Sequence, residues 1–272
     1  MGAGGMRRVH GLAVCAGLLA VASGCAAPRL WREPTRQEVL ERILPSAVQI
    51  VLERDGQRFR TGSGVVIAAR PSGRGADCFV LTSGHTFSRL SGQEQAYVLF
   101  GRHRGTGTKV PATLLAQRES EEVDLALLSA PARECFPAGF GRPPWLGDPI
   151  WVVAFPWGRN MILAGGIVSQ VNLDEPGDRD AAPRLMVDAS VSYGASGGGV
   201  FEERTGRLVG LVEGYRTARV SFKAEASPQY IDVPVPGETY VLPLATIRRF
   251  LIESDHADLL GGHRPGAKAR EE

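Results

Sequence analysis

The feature that most constrains this chain is its punctuation. Between residues 47 and 242, short β-prone runs alternate with turns, roughly one turn every 8–12 residues. The runs are residues 47–52, 58–69, 78–82, 96–100, 109–115 and 124–128, then 150–155, 162–171, 184–189, 199–203, 207–212 and 240–242. Residues 131–148, rich in proline and glycine, separate the two sets, and Thr205-Gly206 suggests a hairpin turn. Residues 216–237 read as an irregular loop or an extended hairpin. There is no βαβ alternation, so an all-β sandwich or barrel architecture is expected. Periodicity alone does not choose between two barrels and one sandwich. The 34 glycines and 18 prolines are what so many turns require.

Helices are confined to the ends of this region. Thr35-Arg36-Gln37-Glu38 has capping-box form, Val39, Leu40 and Ile43 follow on one helical face, and Pro45 stops the helix. Pro243 opens a second helix, with Ile247, Phe250 and Leu251 as its apolar stripe. A net charge of +2 creates no strong field for nucleic acid, and no nucleic-acid partner is expected. No cysteine pair has zinc-site spacing; neither a metal nor a cofactor is expected.

At the amino terminus, Arg7 and Arg8 precede an apolar run over residues 11–22, and Ser23 and Gly24 lead to Cys25. A basic start, a short apolar core and small residues make a secretory signal peptide, and the run is short for a transmembrane helix. Ala22-Ser23-Gly24-Cys25 resembles a bacterial lipobox, with alanine in the usual place of leucine. That resemblance implies lipidation of Cys25 and a membrane anchor; the alternative is plain cleavage near Ala26 and Ala27. Both readings export the body into the cell envelope, facing the periplasm or the outside.

The chemistry concentrates in Val191-Ser192-Tyr193-Gly194-Ala195-Ser196-Gly197-Gly198-Gly199-Val200-Phe201. Glycine lets backbone approach a ligand closely and adopt positive φ. A serine held among glycines can present its oxygen while neighbouring N–H groups converge on one point, as acyl transfer requires. Of five histidines, His10 lies in the signal, His103 in an arginine- and glycine-rich turn, and His256 and His263 near or in the tail. His85 ends a buried-strand pattern in the tight turn Ser83-Gly84-His85, a rigid place to hold an imidazole. Asp124 opens an apolar strand after the polar run Glu119-Ser120-Glu121-Glu122 and is the candidate to orient that histidine. The order His85, Asp124, Ser196 is that of the chymotrypsin-type triad.

Taken together, these motifs resemble the trypsin-fold serine proteases of the HtrA/Deg type. "TGSGVVI" at residues 61–67 resembles that family's early Gly-Ser-Gly strand, "VLTSGH" at 80–85 its histidine motif and "DLALL" at 124–128 its aspartate strand. "FPWGRNMILAGGIVS" at 155–169, "DASVSYGASGGGVF" at 188–201 and "TYVLPLATIRRFL" at 239–251 resemble its Pro-x-Gly segment, nucleophile loop and closing helix. The resemblance covers about residues 45–254. It implies two six-stranded Greek-key β-barrels, about 45–135 and 147–242, with a closing helix at about 243–254. The remaining chain divides into a signal peptide (1–24), a tether and short helix (25–44) and a mobile tail (255–272), too short for a PDZ domain. It further implies Ser196 as nucleophile, His85 as general acid/base, Asp124 as its orienter, and the N–H groups of Gly194 and Ser196 as oxyanion hole, acting on polypeptides.

Two positions depart from the family. Gly199 replaces a common proline, which is expected to loosen the loop. Ala195 stands where trypsin-like enzymes carry an aspartate, so activation by an aspartate–ammonium pair is excluded. Ala189, Ser190, Val212, Glu213 and Gly214 are substrate-pocket candidates; the facing of Glu213 depends on strand register. If the His85 and Asp124 strands are antiparallel neighbours, Cys78 and Cys135 meet at the end far from the cleft, as a disulfide or as two thiols. Two rivals stand beside the endopeptidase. One is a trypsin-fold peptide binder with little turnover. The other is an α/β-hydrolase esterase using Gly194-Ala195-Ser196-Gly197-Gly198 with Asp232 and His256.

Overall fold

The computed structural model describes residues 1–2, 32–73, 75–171, 184–223 and 228–261. Residues 3–31, which include Cys25 and nearly all of the expected signal peptide, and residues 262–272 lie outside the described residues. The chain divides into an amino-terminal unit, Met1–Glu33, whose described residues form no helix or strand, and a unit Pro34–Glu272 that carries every element below.

The first half of this unit is one antiparallel sheet of β1 (Ala47–Arg54), β2 (Gln57–Ser72), β3 (Gly75–Thr82), β4 (Gln95–Phe100), β5 (Thr108–Pro111), β6 (Thr113–Glu119) and β7 (Asp124–Ala132). Their order is β5-β4-β1-β2-β3-β7-β6. There are seven strands where six are expected, because residues 108–119 break at Pro111-Ala112. Proline has no N–H to give a ladder, and the Ala112 N–H bonds the Ala96 carbonyl at 2.9 Å. One half of this segment pairs with β4 and the other with β7, so consecutive strands at the two ends of the order curl the sheet round. The second half is a closed six-stranded barrel, β10-β13-β12-β11-β8-β9. Its strands are β8 (Pro149–Ala154), β9 (Ile162–Gln170), β10 (Leu185–Val187), β11 (Gly199–Glu202), β12 (Leu208–Lys223) and β13 (Pro228–Pro243). The region 216–237 is an extended hairpin: β12 and β13 continue past the barrel, paired from Thr217↔Pro234 to Phe222↔Gln229.

Period-2 alternation explains the apolar runs. On β3, Val80 packs inside the curled first sheet while its neighbour Leu81 faces outward. On β7, Ala126 and Leu128 point in, and Leu125 and Leu127 point out. The outward set meets Trp151, Val153 and Phe155 of the second half, with Phe201 and Leu211, in one core between the halves. Strands buried on both faces read as continuous hydrophobic stretches.

The helices α1 (Arg36–Ile43) and α2 (Leu244–Glu253) cover this shared core with Val39, Ile43, Ile247, Phe250 and Leu251. The capping box of α1 is formed: the Thr35 N–H donates to Glu38 Oε2 at 2.7 Å and the Glu38 N–H to Thr35 Oγ1 at 3.3 Å. Pro243 is the N-cap of α2, so the helix begins at Leu244, one place later than the sequence suggests. Residues 257–261, expected to belong to a mobile tail, are packed on the fold. Residues Ala257–Gly261 form a 3₁₀ turn, Leu259 is buried in the shared core, and Asp258 pairs with Arg70. Cys78 and Cys135 are joined by a disulfide, Cα atoms 5.7 Å apart. No helix among the described residues is long and apolar enough to cross a membrane.

Candidate active site

β3 and β7 are antiparallel neighbours, Thr82 opposite Ala126, so the turn after β3 and the turn before β7 lie at the same end. His85 sits in a 3₁₀ turn, Gly84–Phe87, anchored by buried Phe87. Only glycine fits at 84, since a Cβ there would collide with the Arg118 carbonyl. The Arg60 guanidinium donates to the carbonyls of His85, Thr86 and Ser88 at 2.9–3.0 Å, which fixes the turn. Asp124 follows the tight turn in which the Ser120 N–H bonds the Val123 carbonyl.

Asp124 holds His85 twice. Its Oδ1 accepts the His85 backbone N–H at 2.7 Å and its Oδ2 lies 2.6 Å from Nδ1. With the carboxylate oxygen accepting, Nδ1 is the donor, and in the neutral imidazole Nε2 then keeps its lone pair. The side chains are 45% and 10% exposed, leaving the imidazole open to the cleft and the carboxylate shielded. The hydrogen bond that His85 donates to Asp124 raises the His85 pKa above its ordinary 6.5; burial opposes this, and the charges of Asp124 and Glu119 add to it.

The nucleophile loop docks against this corner. A Cβ at Gly197, whose φ is +82°, would strike Ser63 O, Thr82 Oγ1 and Ser83 N. Gly62 fits between Thr86 and the Ser196 carbonyl. The loop is therefore packed on residues flanking His85 in sequence, and glycine is what permits the approach. Buried Ser63 ties the parts together. Its N–H donates to Ser196 O at 3.0 Å, its hydroxyl donates to Gly194 O at 2.8 Å, and the same oxygen accepts the Phe155 N–H at 2.8 Å. On the other side, the Gly197 N–H bonds Val212 O at 2.7 Å and the Val212 N–H bonds Gly198 O at 2.8 Å.

The peptide between Tyr193 and Gly194 is oriented by Trp157, whose N–H donates to Tyr193 O at 2.8 Å. A trans peptide points its N–H opposite its C=O, so the Gly194 N–H, at φ +86°, faces away from Trp157. Neither the Gly194 nor the Ser196 N–H has a hydrogen-bond partner among the described residues. Trp157 itself has φ +57°, uncommon for a bulky residue, and its ring lies 5.2 Å from that of Tyr193. Gln49 and Arg58 bond the Gly158 carbonyl at 2.8 and 3.2 Å and fix this loop to the first half.

The pocket candidates separate. Ala189 is buried and its carbonyl accepts Thr239 Oγ1 at 2.7 Å; exposed Ser190 accepts the Gly237 N–H at 3.2 Å. Val212 is wholly buried in the second barrel, so it holds the loop by its backbone and offers no side chain to a substrate. Glu213 lies at a bulge in the β12–β13 ladder, and Arg184 grips it with two bonds of 2.7 and 2.9 Å. Arg184 also donates to the Glu121 carbonyl, joining the second half to the turn before Asp124. Gly214 borders open space. Gly199 is not a loose point. It is buried within β11, and a Cβ there would strike the Phe201 ring and Val65. The esterase constellation does not assemble: Asp232 pairs with Arg219 on the extended hairpin, and a strand, not a helix, follows Ser196. Ser63, Trp157 and Arg184 carry no chemical signature in sequence, and their roles emerge only here. Among the described residues no His/Cys/Asp/Glu cluster could hold a metal.

No curated protein matches the chain. Among solved structures it resembles a serine endoprotease from Yersinia pestis, at 21% identity and a TM-score of 0.58 over 84% of this chain and 67% of that one. It also resembles the HtrA-type protease AlgW, determined with a tripeptide, at 18% identity and a TM-score of 0.59 over 82% of this chain and 64% of that one. The chain thus spans about two thirds of each, and at these identities the likeness is one of fold. Residues 62–211, which run from the Gly-Ser-Gly strand through His85, Asp124 and Ser196 into β12, match the family described as trypsin-like peptidase domain, and the chain belongs to that family.

Proposed function

We propose that the protein is a serine endopeptidase of the cell envelope that hydrolyses peptide bonds through an acyl-enzyme. The carrying observation is the convergence of the Asp124–His85 pair with a nucleophile loop whose Gly194 and Ser196 N–H groups are unpaired. In this reading His85 Nε2 takes the proton from Ser196 Oγ as that oxygen attacks the scissile carbonyl, then gives it to the leaving amine. The two N–H groups receive the oxyanion, and Asp124 stabilises the imidazolium. Water then repeats the sequence on the ester. The signal-like amino terminus and the Cys78–Cys135 bridge both support an oxidising compartment, with Cys25 as the candidate lipid anchor.

A fluorophosphonate probe should label the parent protein but not Ser196→Ala. Peptide cleavage should fall by on the order of 10⁴-fold or more in Ser196→Ala and His85→Ala. Folded protein that neither labels nor cleaves would instead be a peptide binder.

A further inference from the structure

The most exposed large apolar side chains lie in the turn that leads into β8. Trp145 and Leu146 are 72% and 65% exposed, above every other described large apolar residue except the chain-start Met1. No slack loop displays them. The Asp148 N–H bonds the Trp145 carbonyl at 3.1 Å and closes a turn whose third residue, Gly147, has φ +85°, as a type II turn requires. The Asp148 carboxylate accepts the Trp145 N–H at 2.8 Å, and the Gly147 N–H donates to the Val168 carbonyl at 2.8 Å, which fixes the turn to β9. Apolar surface held out rigidly in this way marks an interaction site.

The surroundings extend the patch. Pro143 lines a shallow groove with Leu244, Ala245 and Ile252 of α2, and Ile252 is 56% exposed. Arg248 borders the groove, and Arg207 donates to the Phe140 carbonyl at 3.0 Å. Both arginines are exposed, and neither has a carboxylate partner among the described residues. The carboxylates nearby are already paired: Asp148 with Arg142, Glu203 with Arg36 and Glu253 with Arg118. The face is apolar at its centre and positive at its rim, which suits a bilayer with anionic headgroups.

The start of the folded unit lies at the same end. Arg36, in the first turn of α1, reaches Glu203 at 3.6 Å, and the Glu203 N–H donates at 3.0 Å to the carbonyl of Pro149, which directly follows the turn. Thr35 is ten residues beyond Cys25, a span of at most about 35 Å. A lipid on Cys25 therefore keeps this end close to the membrane. From the turn, β8 leads about 17 Å to Phe155, whose N–H bonds Ser63 beside the nucleophile loop. We infer that Trp145, Leu146 and Ile252 dock the protein on an anionic phospholipid surface, with Arg207 and Arg248 at the headgroups and the Ser196 loop turned away from the lipid. The choice of a bilayer rests on the lipid-anchor part of the proposed function, and the test separates the two.

The full chain is reconstituted in vesicles of phosphatidylethanolamine and phosphatidylglycerol that carry phosphatidylcholine brominated on its acyl chains, a contact quencher of tryptophan. Trp31, Trp151 and Trp157 are common to the parent and Trp145→Phe, so the difference between them reports position 145. Trp145→Phe should lower the quenched fraction about twofold. Leu146→Asp should lower it as well, by lifting Trp145 out of the lipid, and Trp157→Phe, at the cleft, should not lower it. Replacing phosphatidylglycerol by phosphatidylcholine should weaken the quenching, and Arg248→Gln should blunt that dependence. Equal quenching of the parent and Trp145→Phe overturns the proposal, as does a loss on Trp157→Phe instead, or quenching indifferent to phosphatidylglycerol. So does a parent that is dimeric in sedimentation while Leu146→Asp is monomeric, since a second copy would then cover the turn. The mass of the amino-terminal peptide reports separately on the anchor: an unmodified Cys25 with quenching at position 145 retained sinks the anchor and leaves the docking face.

Discussion

The Ser63 hydroxyl lies at the junction of the two halves, with Gly194 O and the Phe155 N–H as partners. Ala195 cannot make the charged contact that holds this loop in trypsin-like enzymes. Here the loop is held by neutral hydrogen bonds from Ser63, Trp157 and Val212. Such bonds need no cleaved terminus and do not titrate. Ser63→Ala leaves two buried polar groups unpaired, at a cost of about 1–3 kcal/mol each. It should lower kcat at least roughly tenfold with little change in KM, because it disturbs donors that act mainly in the transition state. Stopped-time cleavage beside thermal melts checks this, and an unchanged kcat rejects the role. In the endopeptidase reading His85 sets the pH response. Only neutral imidazole can accept the serine proton, and Asp124 raises the pKa above 6.5, so activity should climb through an acid limb lying above pH 6.5. Asp124→Asn removes the largest cause, so the limb should move down while the rate drops on the order of 10⁴-fold. A pH–rate profile of kcat/KM reads both. For stability the sign is opposite: the raised pKa stabilises the fold fully below the unfolded value and is lost as pH rises through the folded one.

At the scale of elements, β3 and β7 carry both the His85–Asp124 pair and its covalent support. Thr82 pairs with Ala126 near His85, and Cys78 pairs with Ala130 toward the disulfide. Four residues of strand separate these points, about 13 Å. Cys78→Ala/Cys135→Ala should destabilise the protein by roughly 2–4 kcal/mol, the cost of freeing a loop of 57 residues, and leave peptide kcat/KM within about twofold. Denaturant melts with parallel kinetics decide it; a large loss of activity in the still-folded variant would place the bridge in the catalytic machinery. Element scale is also where sequence is most readable. A strand buried on both faces must be apolar throughout, so residues 78–82, 124–128 and 150–155 announce themselves. The extended hairpin of β12 and β13 does not, because exposed Arg219, Ser221 and Asp232 dilute its alternation, and nothing local shows that it outruns the barrel.

For the whole molecule, the shared core is the controlling feature. Leu81, Leu125 and Leu127 of the first half interlock with Trp151, Phe155 and Phe201 of the second under α1 and α2. The halves should therefore unfold together. Trp fluorescence and far-UV circular dichroism should give one coincident thermal transition, and Phe201→Ala should lower the stability of the whole by about 3–5 kcal/mol. Two resolved transitions would mean that the halves are independent. Across the same core, Ser63, Arg184 and Gln49 tie the half that carries His85 and Asp124 to the half that carries Ser196.

Local rules determined a great deal from sequence alone: turn spacing, apolar runs, a capping box and a glycine-framed serine each report their own surroundings. The motif order His85, Asp124, Ser196 added the triad candidates. Tertiary structure alone decided what depends on distant chain. Ser63 holds the Gly194–Ser196 loop, Phe201 fills the space beside Gly199, Arg184 takes Glu213 for an ion pair, and residues 257–261 pack where a tail was expected. The physical reason is common to all four. A residue's type records its chemistry, but its partner is set by which strand lies alongside, and that follows from the closure of the sheets.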